Sequence, residues 1–143
     1  MGFSIKNWEQ QRVYALLITR STPPITCVNA IGSRSFSQCS SLITVIIPES
    51  VTSIEYYAFE SCSKLTTIII RKSVTYIGYC AFEYCSSLKN LFFCGTKEPE
   101  YGYDVFNGCD SLTTIYVPTT YTDDDETKFC DWPVTINKSL NPT

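Results

Sequence analysis

The 143-residue sequence contains no histidine. That removes the commonest general base near neutral pH, and with it every Ser-His-Asp and Cys-His arrangement. It also removes zinc's usual nitrogen ligand, and the eight cysteines include no Cys-x-x-Cys pair to build an all-thiolate site. No run of five basic residues occurs and the net charge is −3. The chain therefore lacks the clustered cations that phosphate contacts need, and nucleic acid is not an expected partner. Long apolar runs are missing too. Stretches such as Val13–Ile18 fall far short of the roughly 20 residues that span a bilayer, so no membrane span is expected. The polar Asn7–Arg12 ahead of it does not suit a secretory signal. On these grounds the chain is cytoplasmic, or exported by a route the sequence does not display, or part of a longer protein.

Acid–base chemistry by two carboxylates needs them to face each other across a cleft. Glu98 and Glu100 share one loop, and nothing frames a pocket around them. The run Asp123–Glu126 lacks the spaced ligands and glycine of a calcium loop and reads as solvated. The expectation is a protein that is not an enzyme, with no catalytic residue, no metal and no cofactor. Asn137-Lys138-Ser139 matches the N-glycosylation acceptor pattern.

What the sequence does have is a repeat. "FSQCSSLITVIIP" begins at Phe36, "FESCSKLTTIIIR" at Phe59, "FEYCSSLKNLFFC" at Phe82 and "FNGCDSLTTIYVP" at Phe106, at steps of 23, 23 and 24 residues. Cys39, Cys62, Cys85 and Cys109 keep those steps, as do Leu42, Leu65, Leu88 and Leu112. Each unit has two apolar parts. Leu-x-x-Ile-x-Ile (Leu65, Ile68, Ile70) alternates and is rich in β-branched residues, which predicts a strand. Val-x-x-Ile followed by Ala-Phe (Val74, Ile77, Ala81, Phe82) predicts a second apolar segment ending in a tight turn or a single helical turn. Pro48 and Pro118 follow strands directly and end them, having no N–H for a ladder.

One such unit cannot hide its own Leu, Ile and Phe from water; stacked units can. Strands would then lie about 4.8 Å apart, with equivalent side chains in columns. Val13, Leu16 and Ile18, then Val28 and Ile31, fit a degenerate first unit linked through Pro23–Pro24. Cys94–Val105 reads as a loop that replaces the Val-x-x-Ile part. After Pro118 the pattern stops, and Phe129, Trp132 and Val134 are expected to cover the last core layer. The implied organisation is residues 1–30 as a degenerate repeat or cap, 31–118 as leucine-rich repeats, and 119–143 as a C-terminal cap and tail.

The unit "IGYCAFEYCSSLKNLFF" resembles the leucine-rich repeat of the BspA-like surface proteins. Ile54, Ala58, Phe59, Cys62, Leu65, Ile68, Ile70, Val74, Ile77 and Gly78 carry the match with their equivalents, over roughly Val28 to Val117. The resemblance implies a right-handed, β-rich leucine-rich-repeat solenoid of about four to five turns, with one parallel sheet on the concave face and short or helical turns on the convex face. It also implies a surface antigen or cell-adhesion role, at the cell surface or secreted, with a host, matrix or cellular protein as partner. The alternative is an intracellular scaffold that recruits a protein partner from the cytoplasm.

Alternation places the candidate binding residues. Ile46, Ile69, Phe92 and Tyr116 would form one outward column on the concave sheet, and Thr44, Thr67, Asn90 and Thr114 the next. Apolar and aromatic rows at a surface mark partner sites, and Phe92 and Tyr116 are the strongest anchors. The simpler reading is that such residues merely suit a sheet surface. The cysteine column is expected to be small buried side chains; a Cys94–Cys130 disulfide tying down the tail is the open alternative.

Overall fold

The computed structural model describes residues 28–140. The proposed first unit around Val13, Leu16 and Ile18 lies outside them. In chain order the strands are β1 (Ala30–Ile31), β2 (Thr44–Ile46), β3 (Ser53–Ile54), β4 (Thr67–Ile70), β5 (Tyr76–Ile77), β6 (Asn90–Phe93), β7 (Glu100–Tyr101), β8 (Thr114–Pro118), β9 (Lys128–Phe129), β10 (Trp132–Pro133) and β11 (Thr135–Leu140).

The chain winds as a solenoid, and its strands alternate between two parallel sheets. The long strands pair in the order β11-β8-β6-β4-β2 and the short ones in the order β1-β3-β5-β7. Register follows the repeat. Ile68 pairs with Val45 and with Leu91, and Leu91 pairs with Ile115. Alternate residues of β4 and β6 are buried, as Leu-x-x-Ile-x-Ile requires. The phenylalanines stack one above another inside: Phe36–Phe59 at 5.1 Å, Phe59–Phe82 at 5.2 Å and Phe82–Phe106 at 5.4 Å between ring centroids, within 8° of parallel. All four are buried, as are the Leu, Val and Ile columns.

The turn side takes the short-turn form of the two expected and adds a second sheet that the repeat did not predict. In place of one sheet backed by irregular segments, there is the second parallel ladder and then a tight turn, with no helix among the described residues. The cause is local. Each coil has two left-handed residues four apart: Arg34 and Gln38, Tyr57 and Ser61, Cys80 and Tyr84, Asp104 and Gly108. Left-handed backbone costs an L-residue roughly 1–2 kcal/mol and cannot propagate a right-handed helix. The turn is held instead by bonds between coils. Tyr57 N–H donates to Tyr79 O, Phe59 N–H to Ala81 O and Ser61 N–H to Glu83 O, and the same three bonds recur one coil on.

The insertion is also shorter than expected. Cys94–Val105 does not wholly replace the Val-x-x-Ile part, because Tyr76 and Ile77 pair with Glu100 and Tyr101. Beyond Pro118, β9 and β10 form a hairpin, and β11 then returns to pair with β8. Phe129 is buried against Phe93 and Phe106, and Trp132 donates from Nε1 to Leu112 O at 3.1 Å.

Candidate functional site

Pleating turns alternate residues of the long sheet outward, and register lines them up. Ile46 is level with Ile69, Ile69 with Phe92 and Phe92 with Tyr116. The row ends beside Asn137 of β11. All four residues are half-buried rather than fully exposed, because each is flanked by neighbours on the same face. Phe92 and Tyr116 stack at 5.0 Å with their planes 22° apart. In the second column Thr44 lies level with Thr67 and Thr67 with Asn90, whose side-chain amide reaches Thr67 Oγ1 at 3.4 Å. Thr114 lies level with Thr135. The structure thus brings the eight residues onto one face, with hydroxyl and amide groups beside an apolar row.

Two surface features had no counterpart in the sequence pattern. At the ends of the long strands lies a cleft of about 340 Å³, with Ile69, Phe92, Pro118 and Leu140 among its walls and Arg71, Lys72 and Glu49 beside them. The one clue to it is that Arg71-Lys72 stands where other units have Pro48-Glu49 and Pro118-Thr119. On the turn side Tyr56, Tyr79 and Tyr103 stack at 5.2 and 5.1 Å, with Tyr57 edge-on to Tyr56 and Tyr79.

The cysteine column is structural. The thiols of Cys62, Cys85 and Cys109 each donate at 3.1 Å to a phenylalanine carbonyl of the preceding coil: Phe36, Phe59 and Phe82. Contact with the Cys62 thiol, with burial added, pushes Cys39 far above the usual thiol range. Contacts with Cys109 and Cys62 do the same to Cys85. Cys62 lies between Cys39 and Cys85 with its thiol engaged by the Phe36 carbonyl, and burial opposes a thiolate there too. Burial disfavours a thiolate at all three positions, so the column consists of protonated thiols. Cys94 and Cys130 are not joined. The tail is held instead by the Glu98 carboxylate, which accepts the Cys130 N–H at 2.5 Å.

The acidic run is spent on its own turn. Asp123 accepts from the Asp124 N–H and the Tyr121 hydroxyl, and Asp125 from Thr127, while Glu126 pairs with Lys138. Among the described residues there is no cluster of three or more metal-ligating side chains, and no helix long and apolar enough to cross a membrane.

The fold and its repeat have counterparts. A leucine-rich repeat protein from Eubacterium ventriosum, known from its crystal structure, is similar with a TM-score of 0.53 and 24% identity. The match covers 78% of this chain and 31% of that one, and it is a likeness of fold. No curated protein matches in sequence. The model of the BspA type leucine rich repeat region matches residues 16–133 in six copies. Because that span takes in most of the chain, the protein belongs to the BspA-type leucine-rich-repeat family.

Proposed function

We propose that this chain is a non-catalytic protein-binding module of the surface-antigen type, which contacts host or matrix proteins through the outward face of its long sheet. Residues 31–118 would be the binding unit, closed at its ends by 1–30 and 119–143. The family suggests a protein-binding repeat, and its members are often surface-associated. The observation that carries the site is the unbroken row Ile46, Ile69, Phe92 and Tyr116, in register on rigid strands. Rigid aromatic groups lose little entropy on binding and dominate interface energetics. The test is saturable binding to a panel of purified extracellular-matrix proteins, repeated with Phe92→Ala plus Tyr116→Ala. Undiminished affinity in the double variant would sink the site.

A second reading, an intracellular scaffold, draws support from one observation. The seven described cysteines are free, as expected in a reducing compartment. Thiol counting on protein from its natural source separates the two, because disulfides there point to an oxidising exterior.

A further inference from the structure

The edge where the long strands end differs from the rest of the sheet. Its cleft of about 340 Å³ is floored by Ile69 and Phe92 and closed by Pro118 and Leu140. It shares Lys72 and Thr96 with a second cleft of about 580 Å³ under the insertion. The first cleft thus continues the apolar row Ile46–Tyr116 around the end of the sheet.

Charge distinguishes it further. Among the described cations, Lys128 and Lys138 are ion-paired and Arg34 lies over the Tyr57 ring. Of the other five, Arg71, Lys72 and Lys97 line these two clefts. Arg71 is half-buried and has no acceptor for its guanidinium among the described residues. A guanidinium against an apolar floor, with its donors unused, suits a carboxylate, which it can hold through two parallel bonds. The carboxylates nearby are Glu49 in the first cleft, and Glu98 and Glu100 in the second. Glu98 is already engaged by the Cys130 N–H.

We infer that this edge receives an extended peptide segment of the partner, with a large apolar side chain on Ile69, Phe92 and Leu140 and an acidic side chain against Arg71 and Lys72. The inference rests on the protein-binding reading above and specifies the chemistry of its partner. Two cations against the single carboxylate of Glu49 leave a rim that matches a monoanion better than a phosphate dianion. The volume accommodates about one large side chain with a carboxylate, at the small end of ligand sites. Side chains two apart on an extended peptide fall on one face, so the two requirements can come from neighbouring positions.

The test is an array of capped heptapeptides, each with one Leu, Ile, Phe or Tyr two residues from one Glu or Asp, beside its Gln or Asn counterpart. The full chain is expected to bind the acidic members about tenfold or more tightly than the amides, the size of a lost charged hydrogen bond. Arg71→Gln plus Lys72→Gln should erase that preference, and Arg71→Glu plus Lys72→Glu should transfer it to Lys-containing peptides. Unchanged urea midpoints keep loss of fold out of the result. Equal binding of acid and amide, retention of no peptide, or a dimer of this chain abolished by Arg71→Glu would each overturn the inference. If Phe92→Ala plus Tyr116→Ala still abolishes matrix-protein binding while the array shows no acidic preference, the edge fails and the broader reading stands. If the array behaves as expected and no matrix protein binds, the broader reading fails instead.

Discussion

The thiol of Cys85 donates to the carbonyl oxygen of Phe59 at 3.1 Å, joining one coil to the coil before it. The same carbonyl accepts the Cys62 N–H of its own coil. The cysteine therefore fills a small buried space and also uses a second lone pair that burial would leave empty. Cys85→Ala should lower stability by about 1–2 kcal/mol, combining a small cavity with a lost weak donor. Urea titration reads this as a lower midpoint at unchanged slope. In a Cys27→Ser background, a thiol reagent should label half-buried Cys94 first and reach the column only as fast as the chain unfolds. Rapid labelling of Cys62 or Cys85 in the folded protein would contradict this role.

The phenylalanine stack contributes more to stability than the cysteine column does. Phe82 lies between Phe59 and Phe106, in parallel contact with both and fully buried. Phe82→Ala is expected to cost about 3–5 kcal/mol, and Phe82→Leu, which keeps much of the volume, about 1.5 kcal/mol or less. Coils of a solenoid touch only their neighbours, so a hole in the middle also weakens coupling between the two ends. The alanine variant should unfold over a broader, lower transition by circular dichroism. A loss below about 1 kcal/mol would mean that the stack is not the main contact between coils.

The outward row makes a different demand. Phe92 and Tyr116 are half-buried and stack on each other, so each single alanine variant should cost about 1 kcal/mol in stability. Each should cost more than that in partner affinity if both are anchors. Tyr103 is 68% exposed on the opposite side of the coil. Tyr103→Ala should leave binding unchanged and serves as the surface control. Equal effects from Tyr103→Ala and Phe92→Ala would move the site away from the long sheet.

How far the fold was legible depended on whether a position repeats. Phe36, Phe59, Phe82 and Phe106 recur at 23, 23 and 24 residues, and one requirement repeated four times fixes both the stack and the strand register. The row Ile46–Tyr116 followed from register and alternation. The second sheet was not legible, because two residues per strand, such as Ser53–Ile54, are too few to show a period. The left-handed turns were hidden because they fall on Arg34 and Gln38, Tyr57 and Ser61, Cys80 and Tyr84, and Asp104, with glycine marking a single position, Gly108. Strand β11 was hidden for another reason. "TINKSL" is mostly polar, and its pairing with β8 is specified by the hairpin between them. The Arg71 cleft joins Leu140 to a coil far away in sequence, which no local pattern displays.

That hairpin supplies a prediction about pH. Burial raises the pKa of Glu98 above the usual glutamate range, and repulsion from Asp123 and Asp131 adds to it. The bond from the Cys130 N–H and the charge of Lys128 oppose the rise without cancelling it. An acid whose pKa is higher folded than unfolded is harder to ionise in the folded chain. Its ionisation therefore subtracts from stability. The penalty is absent well below the unfolded-state pKa of about 4.3, grows as pH rises through it, and is complete above the folded-state value. Glu98→Gln removes the titration but keeps a carbonyl oxygen for the Cys130 N–H, so it should match or exceed the parent at pH 7. That advantage should vanish below about pH 4. Glu98→Ala removes the acceptor as well and should lose about 1–3 kcal/mol at every pH, the cost of a buried donor left without a partner. Urea midpoints for the three proteins from about pH 3.5 to 7 decide the matter. If the glutamine variant falls as far as the alanine variant at pH 7, the Glu98 charge is holding the tail in place and the predicted sign is wrong.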